Sequence, residues 1–195
     1  TWYKDDDYFK AQWRRQSGGG PVLINLIHDI DLLRFLYGDI ASVQAMTSNA
    51  VRGFEVEDTA VVLMRFVNGA LGTVTVSDTT VSPWNYDLAA RETDRFPQQD
   101  INSHFFSGTH GSLTLPKLEV WSYQDQRHWE KPISVTRTEP MRTSPYEAQL
   151  NNFLAVIAGK EKPICAAQDG LRALEAALAV RESATSGIAV QLPTC

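Results

Sequence analysis

Between Pro21 and Tyr37 the apolar residues recur at helical spacing. Leu23, Leu26, Ile27, Ile30, Leu33 and Tyr37 fall on one side, which predicts an amphipathic helix with that side buried. Its ends are written in the sequence. Gly18-Gly19-Gly20 gives a flexible approach, Pro21 suits the first helical position, and Gly38 suits a left-handed stop. After the helix the period changes to two. Residues 42–48, 59–67 and 70–78 carry alternating apolar, Val and Thr positions, the composition of half-buried strands. Asn68-Gly69, between the last two, predicts a hairpin closed by a type I′ turn. Further strands are expected at 86–92, 103–107, 112–115, 118–123 and 133–138, with Gly108-Thr109-His110-Gly111 as a second tight connection. Residues 93–102 are polar and read as a surface excursion. Helical spacing returns at 145–159 and 168–186, and 188–192 reads as a short closing strand. Residues 4–17 hold no steady period and read as a loop that leads into the glycines.

Strands grouped together, with helices before and after them, define an α+β fold. The expectation is a single domain over 1–195, built on an open, mostly antiparallel sheet with helices packed on one face. Three helices of this length cover one face only. The other faces water or a second subunit, and the alternating Val and Thr along 74–76, with Phe66 and Trp121, point to a partner.

Composition narrows the function classes. With 43% hydrophobic and 21% charged residues, the chain has the make-up of a folded globular domain and not of a disordered one. A net charge of −5 argues against a nucleic-acid surface, which needs concentrated Lys and Arg. No apolar run reaches the ~20 residues of a membrane span, and no signal peptide is expected. Cys165 and Cys195 are too few for a disulfide scaffold and lack metal spacing, so a cytoplasmic setting is expected. The chain opens without Met in the extended-looking Thr1-Trp2-Tyr3, as a fragment cut inside a strand would.

Candidate chemistry concentrates on the first helix. Asn25, His28 and Asp31 stand three residues apart on a slanting strip opposite the apolar side. An imidazole titrates near neutral pH and carries protons. Asp31, one turn on, is placed to fix its tautomer and is a substrate-contact candidate, and Gly19 and Gly20 are cofactor-contact candidates that let a ligand approach N–H groups near the helix start. A hydrogen-bonded structural histidine is the plainer alternative. Lys4, Trp13 and Arg14, in the loop before the glycines, are ligand-contact candidates that serve equally well to pack that loop. Asp5-Asp6-Asp7 lacks calcium-loop spacing and reads as a turn cap. His104, His110 and His128 have no convergent partners, so no metal site is expected. Asp58 reads as a residue that holds strand and loop geometry.

The glycine loop and His28-x-x-Asp31 are followed, in order, by Val56-Glu57-Asp58-Thr59-Ala60, Phe66-Val67-Asn68-Gly69-Ala70-Leu71-Gly72 and Gly108-Thr109-His110-Gly111-Ser112-Leu113. Together with 149–153 and 183–187, this series resembles the C-terminal domain of the Gfo/Idh/MocA oxidoreductases over nearly the whole chain. The resemblance implies a substrate-binding and oligomerising domain, open on one sheet face to a second copy. It also implies a partner domain of Rossmann type that binds NAD or NADP and lies outside this chain. Sugars, cyclitols or similar polyols are the implied substrates. His28 would take or give the proton of the carbinol as hydride moves, and Asn25 would orient the hydroxyl. The position four residues before the histidine, an Asp in many relatives, is Ile24 here. That departure favours the alternative of a non-catalytic sugar-binding or assembly module. No strand–Gly-x-Gly-x-x-Gly–helix unit is present, and Glu161-Lys162-Pro163, which spells the family's catalytic tripeptide, lies between two helices and reads as a solvated turn.

Overall fold

A computed structural model of the chain describes residues 1–139 and 144–193. The predicted Cys195 thiol lies outside the described residues. The chain divides into two compact units, one of residues 1–81 and 164–195 and the other of residues 82–163.

In the first unit, β1 (Ile40–Ser48), β2 (Thr59–Phe66), β3 (Leu71–Ser77) and β8 (Val190–Gln191) form an antiparallel sheet in the order β3-β2-β1-β8. The alternation along β2 is complete. Ala60, Val62, Met64 and Phe66 are buried, while Val61, Leu63 and Arg65 are exposed. Two helices cover the buried face. These are α1 (Ile27–Tyr37), entered through the turn Val22–Leu26, and α4 (Ala167–Ser186). The face that α4 turns inward is Ala173, Ala176, Ala177, Ala179 and Val180, small side chains that let the helix lie close to α1 and β1. Ser183, fully buried, ties helix to sheet, accepting from the Ala45 N–H (3.0 Å) and donating to the Ile188 carbonyl (2.6 Å).

Among the described residues nothing covers the hydrophobic side chains on the outer face of this sheet. Met46, Val61, Leu63 and Leu71 stand exposed on it among Gln44, Arg65, Thr73 and Thr75. Of the residues expected to mark it, Thr75 lies there, and Phe66, Val74, Val76 and Trp121 do not. Phe66 and Val76 point into the core on the helix side, because the pleat puts them in register with Ala60 and Val62. Trp121 belongs to the other sheet.

In the second unit, β4 (His104–Ser107), β5 (Ser112–Leu115), β6 (Glu119–Ser122) and β7 (Ser134–Arg137) form an antiparallel meander. The expected sheet is thus antiparallel and open, with its strands shared between two four-stranded sheets. The Gly108–Gly111 connection closes β4 onto β5 as expected, with the Gly108 N–H bonded to the Gly111 carbonyl at 2.8 Å. α3 (Pro145–Ile157) starts on Ser144, whose hydroxyl accepts from the Glu147 N–H.

Two local expectations are corrected. Residues 86–92 are not a strand. Tyr86–Ala90 forms the short helix α2, because the Asn85 side chain caps it by accepting from the Leu88 N–H. The β2–β3 hairpin is closed by three residues and not by a type I′ pair. The Phe66 N–H bonds the Ala70 carbonyl and the Gly69 N–H bonds the Phe66 carbonyl. Gly69 alone takes positive φ (89°), so the turn is a type I turn followed by a left-handed glycine. Asn68 is there for its side chain, which accepts from the Ala70 N–H and donates to the Tyr37 carbonyl at the end of α1.

Candidate active site

The first helix begins as a single wide turn with i→i+5 bonding over Val22–Leu26 and continues as α1. Such a turn absorbs an extra residue and shifts the helical phase ahead of Leu26. The fully buried line accordingly runs Val22, Leu26, Ile30, four residues apart, and Leu23, Ile27, Leu33 and Tyr37 pack against it half-buried. Gly38 ends the helix at φ 88°.

Glu57 clamps the start of this helix. Its Oε1 accepts from the Val22 N–H at 3.0 Å, so one donor of the first turn is already taken by a carboxylate. Gly19 and Gly20 are buried beside it, and their lack of a side chain serves packing. A Cβ on Gly19 would overlap the Trp13 carbonyl oxygen, and one on Gly20 would overlap the Glu57 carboxylate. These two residues therefore do not offer a dinucleotide phosphate its usual helix-start cradle. A negative group stands where the phosphate would have to come.

His28 projects from the first turn of α1 and is exposed, with no hydrogen bond or ion pair among the described residues. Asn25 is half-buried in the wide turn one step before it. Asp31 does not hold the imidazole. Its carboxylate lies 3.7 Å from Arg34 Nη1, in a cluster where Arg34 bonds Asp39 through Nε (3.1 Å) and Nη2 (2.7 Å) and the Asp169 carbonyl through Nη1 (2.9 Å). Arg34 locks α1 to its own C-terminal loop and to the start of α4, and no carboxylate among the described residues orients the ring of His28.

The loop of residues 4–17 consists of two short 3-10 turns, Asp6–Lys10 and Gln12–Arg15. Asp5 caps the first, accepting from the Tyr8 N–H, as the turn-cap reading of the three aspartates expects. Cations and aromatic rings alternate through it. Lys4 Nζ lies 3.5 Å from the centre of the Trp2 ring and 5.2 Å from that of Tyr8, and the Arg14 guanidinium lies 3.8 Å from Tyr8 and 5.2 Å from Trp13. Arg14 also donates to the Tyr8 carbonyl at 2.6 Å. Trp13 is exposed. Lys4, Trp13 and Arg14 thus pack the loop and also keep polar and aromatic surface at its edge.

Sequence reasoning did not single out Arg52 as part of the frame. Its Nε bonds Asp78 Oδ1 (2.8 Å), its Nη2 bonds the Lys4 and Asp78 carbonyls (both 2.6 Å), and its plane lies 4.1 Å from the Phe9 ring. Burial pushes the Asp78 carboxyl up from its ordinary value, with Arg52 opposing. Asp58, fully buried, performs the geometric role expected of it, accepting from the Val51 and Arg52 N–H groups and from the Thr59 hydroxyl, each at 3.0 Å. The network fastens the extended start of the chain, where the Trp2 and Lys4 N–H groups bond the Ser77 and Asp78 carbonyls at the end of β3.

Lys162 lies in the turn between α3 and α4, with its carbonyl and the Glu161 carboxylate held by Asn152. It is far from strand sequence, as expected. Among the described residues no group of three His, Cys, Asp or Glu side chains is placed to hold a metal, and no helix is long and apolar enough to cross a membrane. Cys165 is exposed.

Fold and site together describe an α+β domain with a helix-covered sheet that presents one unpaired imidazole from a clamped helix. Residues 1–114 match the family model "GFO/IDH/MocA C-terminal domain", and the chain belongs to that family. It is 28% identical over 192 residues to 1,5-anhydro-D-fructose reductase of Ensifer adhaerens, covering 93% of this chain and 50% of the relative. It is 31% identical over 118 residues to D-apiose dehydrogenase of Rhizobium rhizogenes, covering 58% of this chain and 31% of the relative. The chain thus spans half the length of the first and under a third of the second. Among solved structures it superposes on the WlbA dehydrogenase of Bordetella pertussis, crystallised with NADH and UDP-GlcNAcA. The TM-score is 0.73 at 23% identity, over all of this chain and 55% of that one, and the likeness is one of fold.

Proposed function

We propose that this chain is the substrate-facing and assembly part of an NAD(P)-dependent oxidoreductase that interconverts a sugar- or cyclitol-like carbinol and its carbonyl form. The carrying observation is His28, an exposed imidazole without an internal partner, on a helix anchored by three fully buried residues and by Glu57. Membership of the family and sugar-directed relatives support the substrate class. NAD or NADP supplies hydride chemistry when bound. The residues at this helix start do not fit its phosphates, so the reading assigns the cofactor to a domain outside this chain. That domain also supplies the further wall of the substrate pocket. The groove of about 290 Å³ next to Glu57 is lined by Glu55, Arg181 and Thr185 and does not include His28.

In this reading His28 accepts the hydroxyl proton on oxidation and returns it on reduction, over hydrogen-bond distance. Asn25, half-buried one turn earlier, orients the hydroxyl without taking the proton. Lys4, Trp13 and Arg14 border the polyol, and Asp31 acts on α1 through Arg34. Ile24 places no acid beside His28, so the imidazole works without a neighbouring carboxylate. The exposed apolar residues Met46, Val61, Leu63 and Leu71 on the outer face of the first sheet support a second copy docking there, and the reading is of a homo-oligomer in the cytoplasm.

The test is turnover of a polyol panel by the protein carrying its dinucleotide-binding domain. His28→Ala is expected to lower kcat by about two to four orders of magnitude while nicotinamide binding, read by fluorescence, stays unchanged. Wild-type turnover by that variant overturns the assignment.

A further inference from the structure

The second unit carries a groove of about 520 Å³ that the proposed chemistry does not use. Arg91, Asp100, Lys117, Glu119 and Arg137 line it. Three of its walls come from separate parts of the unit. They are the residue that ends α2, the turn between β5 and β6, and β7.

The backbone here is held in unfavourable conformations. Arg91 and Leu118 are the non-glycine residues with positive φ among the described residues, at 59° and 49°. Arg91 follows the last residue of α2, a place where glycine or asparagine takes the left-handed conformation more cheaply. Leu118 stands next to Lys117 in the β5–β6 turn. Strain of this kind persists where the side chains it places have work to do. At this groove one side chain so placed, Arg91, is a cation, and the other strained residue directly follows the second cation, Lys117.

Their charges are only loosely met. Arg91 Nη2 lies 3.7 Å and Lys117 Nζ 3.3 Å from the same oxygen, Asp100 Oδ1, and the Asp100 side chain is 77% exposed. Glu119, in contrast, is fully engaged, accepting from Arg137 (3.0 Å), Asn102 (3.1 Å) and Thr114 (3.2 Å), so it neutralises Arg137 and not the other pair. Glu139 is solvent-exposed. Asn102 also accepts from the Lys117 N–H at 3.1 Å and fixes the turn that carries the lysine.

We propose that Arg91 and Lys117 form a binding site for the phosphate group of a small phosphorylated metabolite, with Asp100 as an internal stand-in that the ligand displaces. Two cations on separate elements, sharing one exposed carboxylate oxygen over an open groove, suit a compact oxyanion with several acceptor atoms. The groove has room for a sugar-sized body beyond the phosphate. The site is independent of His28 and of the oxidoreductase reading.

Calorimetric titration of this chain with inorganic phosphate, glucose 6-phosphate and glucose tests it. Both phosphates are expected to bind and glucose alone is not. Tighter binding of glucose 6-phosphate than of phosphate shows that the groove also meets the sugar, while equal binding restricts the site to the phosphate itself. Lys117→Gln is expected to weaken phosphate binding about tenfold, and Asp100→Asn to strengthen it about as much by removing the competitor. Arg91→Gly separates binding from structure. It relaxes the left-handed residue and is expected to raise Tm by a degree or so at about the same time as phosphate binding falls about tenfold. Absence of phosphate binding by the wild type, or unchanged binding in Arg91→Gly and Lys117→Gln, overturns the proposal. Unchanged or weaker binding in Asp100→Asn overturns the displacement.

Discussion

The two sheets of this chain are built from strands of the same type and are held together in different ways. The sheet of β1, β2, β3 and β8 has a helix-covered face, and the whole continuous core, from Val22 and Ile30 through Val62 to Val180, belongs to it. The sheet of β4 to β7 contributes no residue to that core. Thr114 is its one buried side chain, and Phe105, Val120 and Trp121 are exposed. Its hairpins are fastened instead by polar contacts, above all the three donors that converge on Glu119. Burial of apolar area gives a unit most of its stability, and hydrogen bonds exchanged against water add little net. A sheet of the second kind is consequently the one with room for open grooves and adjustable ion pairs, and a sheet of the first kind is the one that can hold the helix carrying His28 still.

The sharpest way to break this contrast is to delete matched side chains. Leu26→Ala removes a fully buried residue beneath α1 and is expected to cost about 2–5 kcal/mol, read from urea or guanidinium denaturation. Val120→Ala, on an exposed strand position, is expected to change stability by no more than about 0.5 kcal/mol. Similar losses at the two positions contradict the division. Polar groups make the next comparison. Ser183→Ala leaves the Ala45 N–H and the Ile188 carbonyl buried without their partner, for an expected loss of about 1–3 kcal/mol by the same measurement. A loss indistinguishable from zero means that the hydroxyl is not what joins α4 to β1.

The smallest effect is that of pH on the second unit. The Arg137 side chain, with Asn102 and Thr114, holds the Glu119 carboxyl below its ordinary value. A carboxyl with a lowered folded pKa contributes stability that is fully present above its unfolded pKa and is lost as pH falls through the folded value. Hydrogen exchange in β6 and β7 is therefore expected to speed up as pH drops below about 4, after correction for intrinsic rates, and Glu119→Gln is expected to flatten that trend. A wild-type profile as flat as that of the variant removes Glu119 from the account.

Much of the candidate site was legible one residue at a time. Pro21 and Gly38 bracket the helix, and the imidazole stands on it where the pattern placed it. What stayed hidden depended on residues distant in the chain. Gly19 and Gly20 read as an opening for a ligand. They are glycines because the Trp13 carbonyl and the Glu57 carboxylate lie against them, and nothing in their own neighbourhood announces the partner 37 residues on. Asp31 reads as a partner for His28 by spacing, yet Arg34, on the same helix and also bonded to Asp39 and the Asp169 carbonyl, draws it away. At 86–90 a strand-like apolar pattern lost to one capping side chain, Asn85.

The sequence by itself determined where the chain turns from helical to strand period and that a hairpin follows Phe66. Both rest on the 3.6 and 2 residue repeats and on glycine's freedom at one position, which are properties of a few neighbouring residues. Only the tertiary structure decided how the strands divide between two sheets, which donors the helix start has left to offer, and which carboxylate each arginine meets. Those outcomes come from contacts between residues far apart in the chain, where competing partners of similar local promise are separated by burial and geometry alone.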